Sequence, residues 1–172
     1  MANTYTLIAS NTLSSSAASV TFSSIPGTYT DLVLRFSART NATGAANVEV
    51  LAVAFNGTYG TNFSGTRVYG NGASALSNQQ TDEFTYVVGV NNAATSNTFS
   101  NSEIYIPNYL VSQNKPFSAF STGENNATTT QINAAAGLWQ NTSAITSFSI
   151  KPNSGGDFLS GSSFFLYGIK NS

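Results

Sequence analysis

DLVLRFSAR, residues 31–39, alternates apolar and polar side chains along most of its length. Leu32, Leu34, Phe36 and Ala38 fall on one face of an extended chain, whereas the intervening positions are mostly polar. An amphipathic helix would instead repeat its apolar residues every three or four positions. The stretch therefore predicts a β-strand with one buried face.

The same period of two continues on both sides of this strand. Residues 47–55 are apolar on both faces, which predicts a strand that is covered on both sides. Residues 132–139, INAAAGLW, have some helical propensity, but Gly137 and the lack of a cap favour a strand. The remaining strand candidates are residues 4–9, 19–22, 83–90, 98–106, 116–122, 130–139, 144–151 and 162–170.

Turn-forming residues separate these candidates, for example Pro26-Gly27 and Asn56-Gly57. Residues 56–72 combine glycine, asparagine and tyrosine, and are too aromatic for a flexible linker, so we predict a long ordered loop there. No domain boundary is evident. The pattern as a whole predicts a single domain over residues 1–172, an antiparallel β-sandwich of jelly-roll type with about eight to ten strands.

Composition narrows the function classes. The 172 residues include 6 Lys+Arg, 7 Asp+Glu, no His and no Cys, with a formal net charge of −1. This balance gives no field that would attract nucleic acid or an anionic membrane. Without His or Cys, the chain cannot build the usual Ser-His-Asp or Cys-His catalytic sets or a thiolate metal site. We therefore predict no catalytic residue, no cofactor and no metal site.

Two carboxylates inside predicted strands, Glu49 and Glu103, are the best candidates for acid–base work, as in a glycoside hydrolase. The alternative is that strand carboxylates face solvent or pair with Arg35, Arg39 or Arg67. No diagnostic spacing supports catalysis, so we favour the second interpretation.

Carbohydrate binding is a further hypothesis, because aromatic side chains can stack on sugar rings. Tyr59, Phe63, Tyr69 and Trp139 could form such a platform. Aromatic residues also dominate cores and protein interfaces. We favour packing or assembly as their role.

Several stretches, taken in order, resemble a widespread group of small virion proteins of tailed bacteriophages, common in environmental and cyanobacterial phages. They are YTLIASNTL, VTFSSIPGTYTDLVLRFSART, FNGTYGTNFSGTRVYGNG, NTFSNSEIYIPNYL, AAGLWQNTSAITSFSIKPNSG and the terminal FFLYGIKNS. The resemblance implies a jelly-roll or related β-sandwich that is displayed on a virion, often as a homotrimer. It brings no catalytic residues.

From the resemblance we expect a non-enzymatic capsid decoration (cement) protein that binds the major capsid protein and copies of itself. The alternatives are a tail or fibre component that recognises a host surface glycan or protein, and an enzyme that uses Glu49 or Glu103. The chain starts without a basic and apolar leader, so we expect synthesis in the host cytoplasm and localisation in the virion. Tyr59, Phe63, Arg67 and Tyr69 are the predicted partner-binding residues, since Arg and Tyr are enriched among interface anchors.

Overall fold

The structure, a computed structural model, describes residues 4–44, 47–126 and 129–170. The described residues form twelve β-strands and no helix, so the predicted all-β class is confirmed. They accordingly contain no helix with the length and apolar character needed to cross a bilayer. The strands are β1 (Tyr5–Thr12), β2 (Val20–Phe22), β3 (Asp31–Ser37), β4 (Val48–Phe55), β5 (Phe63–Gly70), β6 (Ala75–Thr81), β7 (Val87–Val90), β8 (Asn101–Ile106), β9 (Lys115–Glu124), β10 (Thr130–Trp139), β11 (Phe148–Pro152) and β12 (Ser163–Ile169).

The strands form two antiparallel sheets. Sheet I has eight strands in the order β1-β12-β3-β8-β9-β10-β5-β6, and sheet II has four in the order β2-β11-β4-β7. This arrangement is consistent with the predicted β-sandwich. The strand order does not by itself establish jelly-roll connectivity, which stays a prediction.

Strand β3 lies inside sheet I, between β12 and β8. Leu32, Leu34, Phe36 and Ala38 are all at most 3% exposed, which confirms the predicted buried face. Residues 51–55 of β4 are also buried on both faces, as predicted from their apolar pattern.

Aromatic side chains fill the core where the sheets meet. The ring of Phe55, on sheet II, lies within 5.5 Å of the rings of Phe63, Phe117, Trp139 and Phe148. Most of these pairs are edge-to-face, the geometry that the charge distribution of aromatic rings favours. The cluster holds the β5, β9 and β10 strands of sheet I against β4 and β11 of sheet II.

The prediction of a long loop over residues 56–72 is wrong, because most of the segment belongs to a hairpin. Strand β5 occupies residues 63–70 and reverses into β6 at Gly72, whose φ of +84° is the left-handed conformation that glycine adopts readily. The Asn71 N–H donates to the Ser74 carbonyl and closes the turn. By contrast, the strand interpretation of INAAAGLW is confirmed by β10.

Candidate interaction surface

Sheet I turns one face to the core, and its opposite face is called the outer face below. Strand β10 shows the difference clearly: Asn133 and Ala135 are buried, whereas Ile132, Ala134 and Ala136 are exposed. Strand β9 alternates in the same way over its first seven residues. Sheet II packs on the core side alone, so the middle of the outer face is left open to solvent.

Side chains on the outer face line up across the sheet because the strands pair in register. One row crosses all eight strands and contains Ser10, Phe165, Arg35, Glu103, Phe120, Ala134, Val68 and Ser77. The composition of such a row is set by strands that are far apart in the sequence. A partner surface laid on it would contact several strands at once.

The outer face exposes large apolar side chains on the edge strand β1 and on the neighbouring strands β9, β10 and β5. Val68 is 61% exposed, Leu7 50%, Phe120 49% and Ile132 48%. Val68, Ile132 and Ala134 line a groove of about 430 Å³ that is completed by residues of the β5–β6 hairpin. Apolar side chains grouped on one open face are typical of an interaction surface, whereas scattered single ones are not.

The middle of the outer face is polar, and its charges are paired. Arg35 Nε donates to Glu103 Oε2 at 2.7 Å, which confirms that this strand carboxylate pairs with an arginine. The Tyr5 ring centre lies 5.5 Å from the Arg35 guanidinium carbon. The Tyr105 hydroxyl donates to Asp31 at 2.7 Å, and this hydrogen bond to a carboxylate raises the Tyr105 pKa to about 12.

The four residues predicted to bind a partner are not among the side chains of the outer-face row, although Tyr69 is one of the residues that line the groove. Phe63 is 1% exposed and belongs to the aromatic core. Tyr59 is half-buried beside sheet II, where Lys151 Nζ lies 4.5 Å from its ring centre. Arg67 and Tyr69 are brought together on the other side of β5, with 4.2 Å between the guanidinium carbon and the ring centre. A surface sugar platform that includes Phe63 does not form, and Trp139 is likewise 1% exposed.

Arg67 is held in place by neutral groups. Its Nε donates to Asn78 Oδ1 at 2.7 Å and its Nη1 donates to Asn133 Oδ1 at 3.2 Å. Tyr86 immediately precedes strand β7, and its ring centre lies 4.9 Å from the guanidinium carbon of Arg67. Burial raises the Tyr86 pKa, and the nearby Arg67 charge opposes that rise. The cluster therefore fixes the guanidinium between two rings and two amides.

Glu49 and Glu103 are not brought together, because Glu49 lies on sheet II and Glu103 on sheet I. The Glu49 carboxylate accepts hydrogen bonds from the backbone N–H and the hydroxyl of Ser154, at 2.8 and 2.7 Å. It therefore anchors the loop after β11. Within residues 4–44, 47–126 and 129–170, no group of three Asp, Glu, His or Cys residues is placed to hold a metal ion.

Lys115 is an unusual buried cation at the start of β9. The residue is fully buried, and Nζ donates to the backbone carbonyls of Gln113, Asn141 and Thr142. Burial lowers the Lys115 pKa, because the charged form loses hydration. These hydrogen bonds connect the loop that precedes β9 with the segment that follows β10.

Sequence reasoning did not single out Val68, Phe120 or Ile132. The signal was present for Phe120, an apolar residue on the mostly polar face of an alternating strand. Ile132 instead shares its face with Ala134, Ala136 and Leu138, so the sequence favours burial of the face that the structure exposes. Val68 carried no such signal, because its strand was interpreted as a loop. No family model matches this chain, and no curated protein matches it either.

Proposed function

We propose that the protein is a non-enzymatic structural component of a tailed-bacteriophage virion, a decoration protein that binds the capsid shell. The observation that carries the proposal is the outer face of sheet I, where Val68, Phe120 and Ile132 are each about half exposed or more. The resemblance of the sequence to small virion proteins supports a bacteriophage particle as the assembly that this face contacts.

The outer face suits a protein that covers a shell in many copies. It is broad and continuous, because its rows run across eight hydrogen-bonded strands. Its charges at Arg35 and Glu103 are already paired, so a partner need not supply a compensating charge. Burying the exposed part of each large apolar side chain contributes about 1 kcal/mol, and a few such anchors dominate the affinity of an interface.

The partners in this proposal are the major capsid protein and further copies of the chain. The resemblance implies a homotrimer, but the number of copies that associate is a separate prediction and the proposal does not depend on it. Of the four residues predicted as anchors, Tyr59, Arg67 and Tyr69 are partly exposed and stay predicted contacts at the sheet II side and the β5–β6 hairpin. Phe63 is enclosed by the core and can act only by holding β5 in place.

The test compares variants of the purified protein for binding to shells prepared without it. Val68→Asp and Ile132→Asp place a charge on the outer face, and we expect each to reduce binding at least tenfold. We also expect wild-type protein, but neither variant, to raise the temperature at which shells burst. Leu110→Asp is the matched control, because Leu110 is 39% exposed in the loop after β8, away from these residues.

Shells that bind both outer-face variants as well as wild type would contradict the proposal. So would particles in which every copy of the chain is located at the tail. That location would support the alternative, a tail or fibre component that recognises a host surface glycan or protein.

A further inference from the structure

Strand β6 is a long edge strand without the usual protection. It runs for seven residues, ALSNQQT, at one end of sheet I and pairs with β5 alone. All of its residues are exposed except Gln80, which is partly exposed. It contains no proline, no charged residue and no register shift, the devices with which proteins block pairing at an edge.

The hydrogen bonds of the hairpin show which backbone groups of β6 are left open. Asn71 N–H donates to Ser74 O and Asp82 N–H donates to Phe63 O, so these two pairs are hydrogen-bonded. Hydrogen-bonded and non-hydrogen-bonded pairs alternate along an antiparallel ladder. Residues 76, 78 and 80 are therefore bonded to β5, whereas residues 75, 77, 79 and 81 direct their N–H and C=O groups away from the sheet.

The other edges are less suited to pairing. Strand β1, at the opposite end of sheet I, has a register shift between Leu7 and Ala9, and a bulge of this kind bends an edge. The edges of sheet II are β2, with three residues, and β7, with four. Among the described strands, β6 is the long, regular and uncharged edge.

We propose that β6 pairs antiparallel with β6 of a second copy of this chain about a two-fold axis at Asn78. Centring on Asn78 places residue 75 opposite 81 and residue 77 opposite 79, so every outward-facing backbone group meets another one. With the axis at Asn78, all seven residues of β6 pair with residues of β6 in the other copy.

The neutrality of β6 is what selects a second copy as the partner. In a two-fold contact the same surface patch meets itself, so any charged residue would lie close to its own like charge. The seven residues of β6 carry no charge to repel a copy and none to attract a charged partner strand. The contact would join two eight-stranded sheets into one and place their outer faces side by side.

This inference deepens the proposed function, on which it rests for the expectation that copies of the chain act together. The contact itself is argued from β6. The groove beside Val68 and Ile132 is partly lined by Ala75 and Ser77, so a copy paired at β6 would extend that groove. Self-pairing would therefore enlarge the surface that binds a shell.

The first experiment measures the mass of the purified chain by sedimentation over a range of concentrations. We expect a monomer–dimer equilibrium that Ser77→Pro weakens about thirtyfold, since each dimer would lose two backbone hydrogen bonds. Ser77→Ala keeps the backbone donor and should dimerise as wild type does. If Ser77→Pro fails to fold, Gln79→Lys puts like charges across the axis and should weaken the dimer instead.

The second experiment uses the absence of cysteine from the chain. Asn78→Cys should form a disulfide between copies under mild oxidation, because the Cα atoms of a non-hydrogen-bonded pair lie about 4.5 Å apart. Ser10→Cys, on the opposite edge strand, is the control and should cross-link much more slowly.

A monomer at every concentration, a three-copy species that persists in Ser77→Pro, or equal cross-linking of the two cysteine variants would overturn the inference. The two proposals fail separately. A β6-linked dimer that binds no shell would contradict the proposed function alone, and shell binding by a strictly monomeric chain would contradict this pairing alone.

Discussion

The hydroxyl of Tyr105 on β8 donates a 2.7 Å hydrogen bond to Oδ2 of Asp31, the first residue of β3. The other carboxylate oxygen of Asp31 accepts the backbone N–H of Asn108 at 2.8 Å. Asp31 is 4% exposed. Both of its carboxylate oxygens nevertheless accept a hydrogen bond, from Tyr105 on β8 and from Asn108 just after β8. This contact fixes the start of β3 relative to β8. It also adds a hydrogen-bonded carboxylate to the polar side chains of the outer face.

Tyr105→Phe should lower the free energy of unfolding by about 2 kcal/mol at neutral pH, because it removes a hydrogen bond to a buried carboxylate. The bond raises the Tyr105 pKa from 10.0 to about 12 in the folded protein. A raised pKa means that the stabilisation is complete below pH 10 and is lost as the pH rises through 12. Urea denaturation at neutral pH and in this alkaline range measures the difference.

Tyr167→Phe is the control for that measurement, since the described residues show no hydrogen bond to the Tyr167 hydroxyl. Equal stability of the two variants at neutral pH would contradict the role assigned to Tyr105.

Lys115→Met should reveal a pH dependence of the opposite sign. Burial lowers the Lys115 pKa, so the unfolded chain binds more protons than the folded one between that lowered pKa and the ordinary value of 10.5. The stability of wild type relative to Lys115→Met should therefore rise as the pH increases toward 10.5. Thermal unfolding at several pH values tests this, with the exposed Lys170→Met as control. A difference that does not change with pH would contradict the prediction.

Arg67→Ala should cost about 2 kcal/mol of unfolding free energy. It removes the hydrogen bonds to Asn78 and Asn133 and the packing of the stem against Tyr69. Arg35→Ala should cost less than about 1 kcal/mol, because its ion pair is exposed to solvent. Chemical denaturation of both variants gives the comparison, and a larger loss for Arg35→Ala would show that the Arg67 cluster contributes little.

Gly137→Ala should destabilise the fold by about 1–3 kcal/mol through overpacking. A methyl group there would overlap Cζ of Phe117, whose ring is held by the aromatic core. Gly70→Ala is a matched change in the paired strand, where the added carbon meets Ile132 Cγ2 at 3.6 Å, an ordinary contact. We expect that control to unfold close to the wild-type temperature. Similar melting temperatures for the two variants would contradict the packing argument.

Strands with one buried face were predictable, because burial imposes the alternation seen in residues 31–39. Strand β6 was not, since neither of its faces is buried and its sequence, ALSNQQT, therefore shows no period. Its partner β5, FSGTRVYG, contains two glycines, which favoured a loop interpretation. The β5–β6 hairpin carries both Val68 and the open edge strand. Because the hairpin was not predicted, that part of the candidate surface could not be predicted either.

The predicted anchors illustrate a second limit. Residue type identified Arg67 and Tyr69 as two of four separate anchors, and the structure shows that they contact each other. Type alone could not show that Phe63 faces the core, because the register of β5 against β10 places Phe63 beside the buried Trp139. Which face a residue occupies depends on pairing with strands distant in the sequence.

The pairing of β1 with β12 has a mechanical consequence. Tyr5 lies opposite Ile169, and the Lys170 N–H donates to the Thr4 carbonyl, so residues 4 and 170 are neighbours at one end of an antiparallel pair. Tension applied between these two points would peel the strands apart one bond at a time, starting at this end. A force applied at opposite ends of the pair would instead load its hydrogen bonds together.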